Sequence, residues 1–276
     1  MSEKRTILIT GASSGIGWAA ALRMKALGWS VFATARQRSD LDRLQGEAGV
    51  EALELELADS QSIAACANTI LERTGGRVDA LFNNGAYGQV GAVEDLTPEV
   101  LRRQLEVNLI GGHDLTRRLI PSMRANKSGR IVQCSSVLGF VSGPFRGAYC
   151  ASKFAMEGLS DAMRLELVGS GIHVVLIEPG PIRTKFVETA LKNFRTTVDI
   201  DGSAHREAYL ARLKSMETGG KQTFKLEPEA VVDKLVHALE SRRPKLRYYV
   251  TTPTHLAAGL KRVLPMRLLD RVIARM

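Results

Sequence analysis

Cysteine is scarce. The 276 residues hold three, Cys66, Cys134 and Cys150, with no CxxC pair and no Cys/His ligand spacing. A disulfide framework and a zinc module are therefore excluded, no metal site is expected, and free thiols suit a reducing compartment. Long apolar runs are missing as well. The longest stretch without a charged residue, Thr6–Leu22, is rich in Gly and Ser, so no transmembrane helix is expected. The N-terminus "MSEKRTILIT" is charged and passes at once into a strand-like run, which leaves no room for a signal peptide. A soluble, cytoplasmic protein is the expectation.

Acidic residues are nearly absent from the end of the chain. Residues 241–276 contain nine Lys/Arg and one Asp, whereas residues 1–240 carry 29 basic and 28 acidic groups. The net charge of +9 thus belongs to the tail, and the body is electrically ordinary. Beyond Tyr248 and Tyr249 the tail has no aromatic residue to interleave with its arginines, so a nucleic-acid partner is not expected.

What the chain does have is alternation. Short apolar runs at 6–10, 30–35, 51–57, 79–83, 129–135, 173–180 and 246–252 read as strands. Between them lie segments of helical period at 15–28, after Ser39, at 60–74, from Pro98 onward, around Tyr149 and at 228–242. Thr97 is the expected N-cap of the helix that begins at Pro98. Strands alternating with helices predict an α/β fold, a parallel sheet covered on both faces. With no repeat and no linker-like segment, residues 1–276 read as a single domain. Residues 185–227 read as a long irregular insert.

Two motifs carry chemistry. "TGASSGIG" (Thr10–Gly17) lies between the first strand and the first helix. Glycines at 11, 15 and 17 allow a tight turn and let a pyrophosphate approach the helix N-terminus, where free N–H groups and the dipole attract it. A Gly-rich turn can also be only a turn, but its place at the head of a βαβ series favours dinucleotide binding. The second motif is "YCASK". Only one of the five tyrosines, Tyr149, has a lysine four residues on, Lys153, and on a helix the two share a face. Alone, the pair reads more readily as a solvated helix pair than as a proton-transfer pair.

Together these motifs resemble the short-chain dehydrogenase/reductase superfamily, near its bacterial aldehyde reductases and its steroid and retinol dehydrogenases. "NN" at 83–84, "VN" at 107–108, "SS" at 135–136 and "PGPIRT" at 179–184 extend the likeness in the same order. The resemblance implies a Rossmann-type doubly wound parallel sheet of about seven strands, in the order 3-2-1-4-5-6-7. It implies a catalytic set of Asn108, Ser136, Tyr149 and Lys153, with Ser136 preferred to Ser135 by the usual spacing to the tyrosine. Tyr149 would exchange a proton with a carbonyl oxygen, with its pKa lowered by Lys153 and by an oxidised nicotinamide. Ser136 would hydrogen-bond that oxygen, and Asn108 would position a water. Cofactor contacts are implied for Gly11, Ser13, Ser14, Gly15, Ile16, Gly17, Glu56, Leu57, Asn84, Tyr149, Lys153, Pro179, Ile182 and Thr184. The family's NNAG is NNGA here (Asn83–Ala86), which keeps a glycine near the expected adenosine.

The end of the second strand selects the cofactor. "FATARQR" puts Ala35 where NAD enzymes of this type carry an acid, followed by Arg36 and Arg38. No carboxylate is expected there to repel a 2′-phosphate, and a guanidinium can hold one. NADP(H) is the expectation; the alternative is a solvated surface arginine. The expected reaction is NADPH-dependent reduction of a lipophilic aldehyde or ketone. The alternatives are an NADP-dependent alcohol, hydroxysteroid or retinol-type dehydrogenase, a 3-oxoacyl reductase, and a non-catalytic NADP-binding sensor. A sensor needs the fingerprint and not the catalytic set.

The resemblance makes 185–227 a lid over the substrate. Its Phe186, Leu191, Phe194, Tyr209, Leu213, Met216 and Phe224 would either line an apolar pocket or pack the lid onto the sheet. His113 and His205 read as structural or solvent-facing. The tail 255–276 places Leu268, Leu269, Val272, Ile273 and Met276 on one helical face and Arg267, Asp270, Arg271 and Arg275 on the other. Docking of that face on the body or on a second subunit is preferred to contact with an anionic membrane surface. A homodimer or homotetramer is implied by the resemblance. Cys150, one helical position from Tyr149, points about 100° away and is a bystander.

Overall fold

Residues 4–217 and 223–273 are described in a computed structural model of the protein. The strands are β1 (Thr6–Ile9), β2 (Ser30–Ala35), β3 (Glu51–Glu54), β4 (Ala80–Asn83), β5 (Gly129–Cys134), β6 (Ile172–Glu178) and β7 (Arg247–Tyr249). They form one parallel sheet in the order β3-β2-β1-β4-β5-β6-β7, as expected. The helices of the body are α1 (Gly15–Ala26), α2 (Arg38–Gly46), α3 (Ser60–Arg73), α4 (Pro98–Leu105), α5 (Gly111–Ala125), α6 (Gly147–Glu166), α7 (Phe186–Thr197), α8 (Arg206–Glu217) and α9 (Glu229–Glu240). Two more follow β7, α10 (Thr252–Val263) and α11 (Met266–Ile273).

β1 shows why the strands are apolar throughout. Ile7 and Ile9 face one core with Ala20, Met24, Val231 and Leu235 from α1 and α9. Leu8 faces the other, with Ile63, Ile70, Leu115 and Leu119 from α3 and α5. A strand covered on both faces has no position to give to water. Polar residues collect instead at the carboxyl ends of the strands, where the sheet grows in opposite directions from β1. That crevice is the topological switch point at which such sheets bind ligands.

Several local readings change. β3 ends at Glu54 and β7 spans three residues, shorter than the apolar runs; past β3, Leu55 N still donates to the Ala35 carbonyl at 3.0 Å, and Leu57 is buried in the second core from the loop. Thr97 caps α4, accepting from Val100 N at 3.4 Å, but the long helix is broken by a π turn over Glu106–Ile110. The insert is not irregular. It folds into α7 and α8, whose Phe194 and Tyr209 are fully buried with Val90, Ala92 and Val198 in a third core. The tail is two helices, interrupted at Leu264–Pro265. Leu269 is buried, Val272 and Ile273 are half-buried, and Leu268 is exposed, so only part of the expected apolar face is covered. Arg275 and Met276 lie outside the described residues, as does the side chain of Met216. Among the described residues no helix is long and apolar enough to cross a membrane.

Candidate active site

The Gly-rich turn leaves β1 and enters α1 against the loop that follows β4. Gly11 has a φ of +64°, and a Cβ there would lie 2.6 Å from the Gly85 Cα. Only two glycines can meet this way. The displaced glycine of NNGA therefore has a role: Gly85 is the partner of Gly11. A Cβ on Gly17 would stand 2.3 Å from the Gly11 carbonyl oxygen, so the third glycine lets α1 close on the turn. Asn84 fixes the same turn, its Nδ2 donating to the Thr10 and Gly11 carbonyls at 3.0 and 3.1 Å. Thr10 Oγ1 accepts from the backbone N–H of Asn84 and Gly85 at 2.9 and 2.8 Å.

A cavity of about 430 Å³ opens beside this turn, lined by Ser14, Gly15, Trp18, Thr184, Lys185 and Glu188. Ser14 precedes the first turn of α1 in extended conformation and caps it with no side-chain hydrogen bond. Ser13 offers its carbonyl to Arg43, whose guanidinium lies over the Trp18 ring at 4.6 Å. Ile16 packs against the first core. Pro179 holds the turn after β5 by accepting from Val137 N at 2.8 Å. Ile182 is bridged to Leu226, and the Thr184 Oγ1 accepts from Phe186 N at 3.3 Å. Of the sequence-predicted cofactor residues, Ser14, Gly15 and Thr184 line this cavity, Gly11, Gly17 and Asn84 build the turn beside it, and Ile16 faces the core.

Arg36 and Glu56 behave differently from expectation. A carboxylate does stand at the end of β2, supplied by the loop after β3: Arg36 Nη1 lies 3.5 Å from Glu56 Oε2. Arg103 approaches the same carboxylate at 3.6 Å, and the Glu56 Oε1 accepts from its own Ala58 N–H at 2.9 Å. Leu57 is buried in the second core and touches Gly85 and Gly111.

The candidate catalytic residues meet at the ends of β4, β5 and α6. Asn108 sits in the π turn, a distortion that re-aims its side chain into the fold. Its Oδ1 accepts from Tyr87 N at 3.0 Å, and its Nδ2 donates to Tyr87 O at 2.8 Å and to Ser152 Oγ at 3.2 Å. Ser136 follows β5 and accepts from Leu138 N at 3.1 Å. Tyr149 and Lys153 are one turn apart on α6 and both buried, with the Lys153 Nζ 5.8 Å from the phenol ring centroid. Lys153 donates to the Cys134 carbonyl at 2.6 Å. Phe186, the first residue of α7, meets the Tyr149 ring edge-on, with centroids 5.5 Å apart.

The electrostatics reverse one expectation. Burial pushes the Tyr149 phenol well above its ordinary value, with the nearby Cys134 thiol adding to the rise. The Ser136 hydroxyl and the Arg146 guanidinium are the largest opposing influences. Desolvation therefore wins in the protein alone, and the group is held as the neutral, proton-bearing phenol. Burial likewise lowers Lys153, against the influence of Cys134 and Glu157. Cys150 is buried with its thiol pushed up, which keeps it inert.

A match to the short chain dehydrogenase family pattern covers residues 5–194. The chain belongs to the short-chain dehydrogenase family. It is 39% identical to an uncharacterized oxidoreductase, YbbO, of Escherichia coli K12, over 98% of this chain and 94% of that one. It is 35% identical to 17-beta-hydroxysteroid dehydrogenase type 1 of Homo sapiens, over 90% and 78% of the two chains. Among solved structures, a short chain dehydrogenase/reductase from Burkholderia phymatum in complex with NAD matches with a TM-score of 0.78 at 25% identity, over 93% and 92% of the chains. A variant actinorhodin polyketide ketoreductase with NADPH matches with a TM-score of 0.72 at 28% identity, over 90% and 95%.

Some neighbours of the site escape the sequence reading. Tyr87 and Ser152 hold Asn108, and the Cys134 main chain anchors Lys153. Arg146 stands three residues before Tyr149, half-buried, and its pKa falls to about 10, mainly by burial and then by the nearby Arg212. The i−3 spacing from Tyr149 was the available signal for Arg146. Nothing in the sequence marks Tyr87 or the Cys134 carbonyl, because both act through the main chain. His205, read as structural or solvent-facing, pairs with Glu94 at 2.6 Å.

Proposed function

We propose that this oxidoreductase is an NADP(H)-dependent carbonyl reductase that converts a lipophilic aldehyde or ketone to the alcohol. The observation that carries the reading is the buried, neutral Tyr149 phenol beside Ser136, in the crevice of the Gly-rich turn. A neutral phenol is the form that donates a proton.

The residues of the crevice fit a nicotinamide dinucleotide. The N-terminus of α1 and the glycines at 11, 15 and 17 give a pyrophosphate backbone N–H groups without side-chain obstruction. Arg36 is 61% exposed and can take a 2′-phosphate through charge-assisted hydrogen bonds, while Arg103 offsets the charge of Glu56. Bound NADPH supplies the hydride. Ser136 donates a hydrogen bond to the substrate oxygen as charge builds on it, and Tyr149 delivers its proton to that oxygen. Lys153 and Asn108 hold the geometry, the first through Cys134, the second through Tyr87. Phe186, edge-on to Tyr149, gives the substrate an apolar wall, and likeness to a hydroxysteroid dehydrogenase supports a lipophilic compound.

The same residues run the oxidation in reverse, so an alcohol or hydroxysteroid dehydrogenase is the second reading. The test is a panel of aldehydes, ketones, steroids and acyl thioesters scanned with NADPH and NADH. Faster NADPH consumption with apolar carbonyls is expected. Binding of NADPH with no turnover across the panel would replace the enzyme by a sensor.

A further inference from the structure

Beneath Lys153 lies a set of buried charges that the proposed reaction does not use. Glu157 stands one turn further along α6, on the face that carries Tyr149 and Lys153. Arg247, the first residue of β7, donates from Nη2 to Glu157 Oε2 at 3.0 Å and to Asp161 Oδ2 at 2.8 Å. Its Nε lies 3.1 Å from Glu178 Oε1, at the end of β6, without the alignment of a hydrogen bond. Glu178 is 0% exposed and Glu157 7%. One guanidinium therefore faces three carboxyl groups.

The hydrogen bonds do not close if all three are ionised. Glu157 Oε1 and both Glu178 oxygens are buried without a well-aligned donor; the Ser135 hydroxyl stands beside Glu157 and the Arg247 guanidinium beside Glu178, which leaves Glu178 Oε2 facing only the other carboxyl group. Carboxylates only accept, and like charges this close in a dry site do not both ionise. A proton on one of them turns two orphaned acceptors into a donor and an acceptor.

We propose that Glu157 and Glu178 form an acid pair that holds one shared proton at neutral pH and positions the catalytic groups above it. The pair presents a single negative charge to Lys153 and supports the turn that carries Ser136. The space for it is made by Gly139 at the end of that turn, where a Cβ would lie 2.5 Å from Ser135 Oγ and 3.1 Å from Glu157 Oε1. The consequence for turnover rests on the carbonyl-reductase reading; the shared proton does not. Burial pushes Glu178 up to about 8, with the charge of Glu157 adding and Arg247 opposing, and burial raises Glu157 in turn. The charged and titratable groups around the pair are Lys153 and Asp161 from α6, Arg164 paired with Asp161, Cys134 and Ser135 after β5, and Arg247 from β7.

Glu178→Gln mimics the protonated partner and cannot lose its donor. The native state of the wild type holds a proton that the unfolded chain releases above its ordinary carboxyl pKa, so its stability falls as pH rises until Glu178 ionises in the folded protein. Melting curves without ligand should show the wild type losing about 5 °C relative to Glu178→Gln between roughly pH 5 and pH 8. An infrared carbonyl band of a buried carboxylic acid should be present in the wild type at neutral pH and absent from the variant. Parallel melting profiles, or no such band, would overturn the shared proton. The positioning role predicts that wild-type NADPH-dependent turnover falls off above about pH 8 while Glu178→Gln turnover does not; coincident pH profiles would remove that role. A protein with no carbonyl turnover would remove the proposed function and leave the melting and infrared results standing. If Glu178→Gln fails to fold, Glu157→Gln carries the same measurements.

Discussion

In the β3–β2–β1 half of the sheet the buried polar side chains are threonines, Thr6, Thr10 and Thr34, while the β5–β6–β7 half buries Lys153, Glu157 and Glu178. In the first half the hydroxyls of Thr10 and Thr34 take up backbone N–H groups of the turns around Gly11 and Asn84. Its charged residues stay at the surface, as Arg36 does. In the second half a buried ammonium, a carboxyl pair and a guanidinium form a chain from Tyr149 to Arg247. The difference follows from the tasks proposed for each side. A turn that binds a phosphate offers neutral donors, since the ligand brings the charge. A site that moves a proton must hold titratable groups of its own away from water.

The largest expected effect breaks the proton-handling side alone. Tyr149→Phe should lower turnover about 1,000-fold while NADPH affinity, read by fluorescence titration, is retained. Loss of binding instead would place Tyr149 in the cofactor-holding side. Arg36→Asp acts on the other side and should shift the NADPH-to-NADH ratio of kcat/KM by roughly 30-fold toward NADH, the weight of a charge-assisted hydrogen bond. An unchanged ratio would assign the phosphate to another cation, with Arg43 and Arg38 the next to test. Gly17→Ala should cost about 2 kcal/mol in unfolding free energy through the clash with the Gly11 carbonyl, and weaken cofactor binding with it. The smallest effect sharpens the boundary between the two sides. Thr97→Ala removes the cap of α4 and should cost about 1 kcal/mol, leaving kcat unchanged, because Asn108 is held by Tyr87 and not by the helix end.

Much of this was legible in one dimension. The strand positions, the sheet order implied by the family likeness, the Gly-rich turn and Ser14, Gly15 and Thr184 beside it all follow from local patterns. Glu157 was legible too, since Tyr149, Lys153 and Glu157 repeat at four-residue spacing. Its partners were not. Glu178 and Arg247 read as the tail of one strand and the head of another, and only the β6–β7 pairing brings them to α6. The irregular reading of 185–227 failed because the helical period there is masked by charged residues on α8, whose apolar Tyr209 is buried by a tertiary contact with Val90 and Ala92. The π turn at Asn108 escaped because the sequence around it keeps a good helical pattern, and the bulge is a matter of packing.

By itself the sequence determined the fold and marked the candidate reacting groups, because hydrophobic period, glycine placement and the spacing of Tyr149 from Lys153 are short-range properties of the chain. Only the tertiary structure decided their charge states. Desolvation depends on everything packed around a group, so it raised Tyr149 where a neighbouring lysine alone would have lowered it. Proximity in space, not in sequence, set Glu56 beside Arg36 and Glu178 beside Glu157.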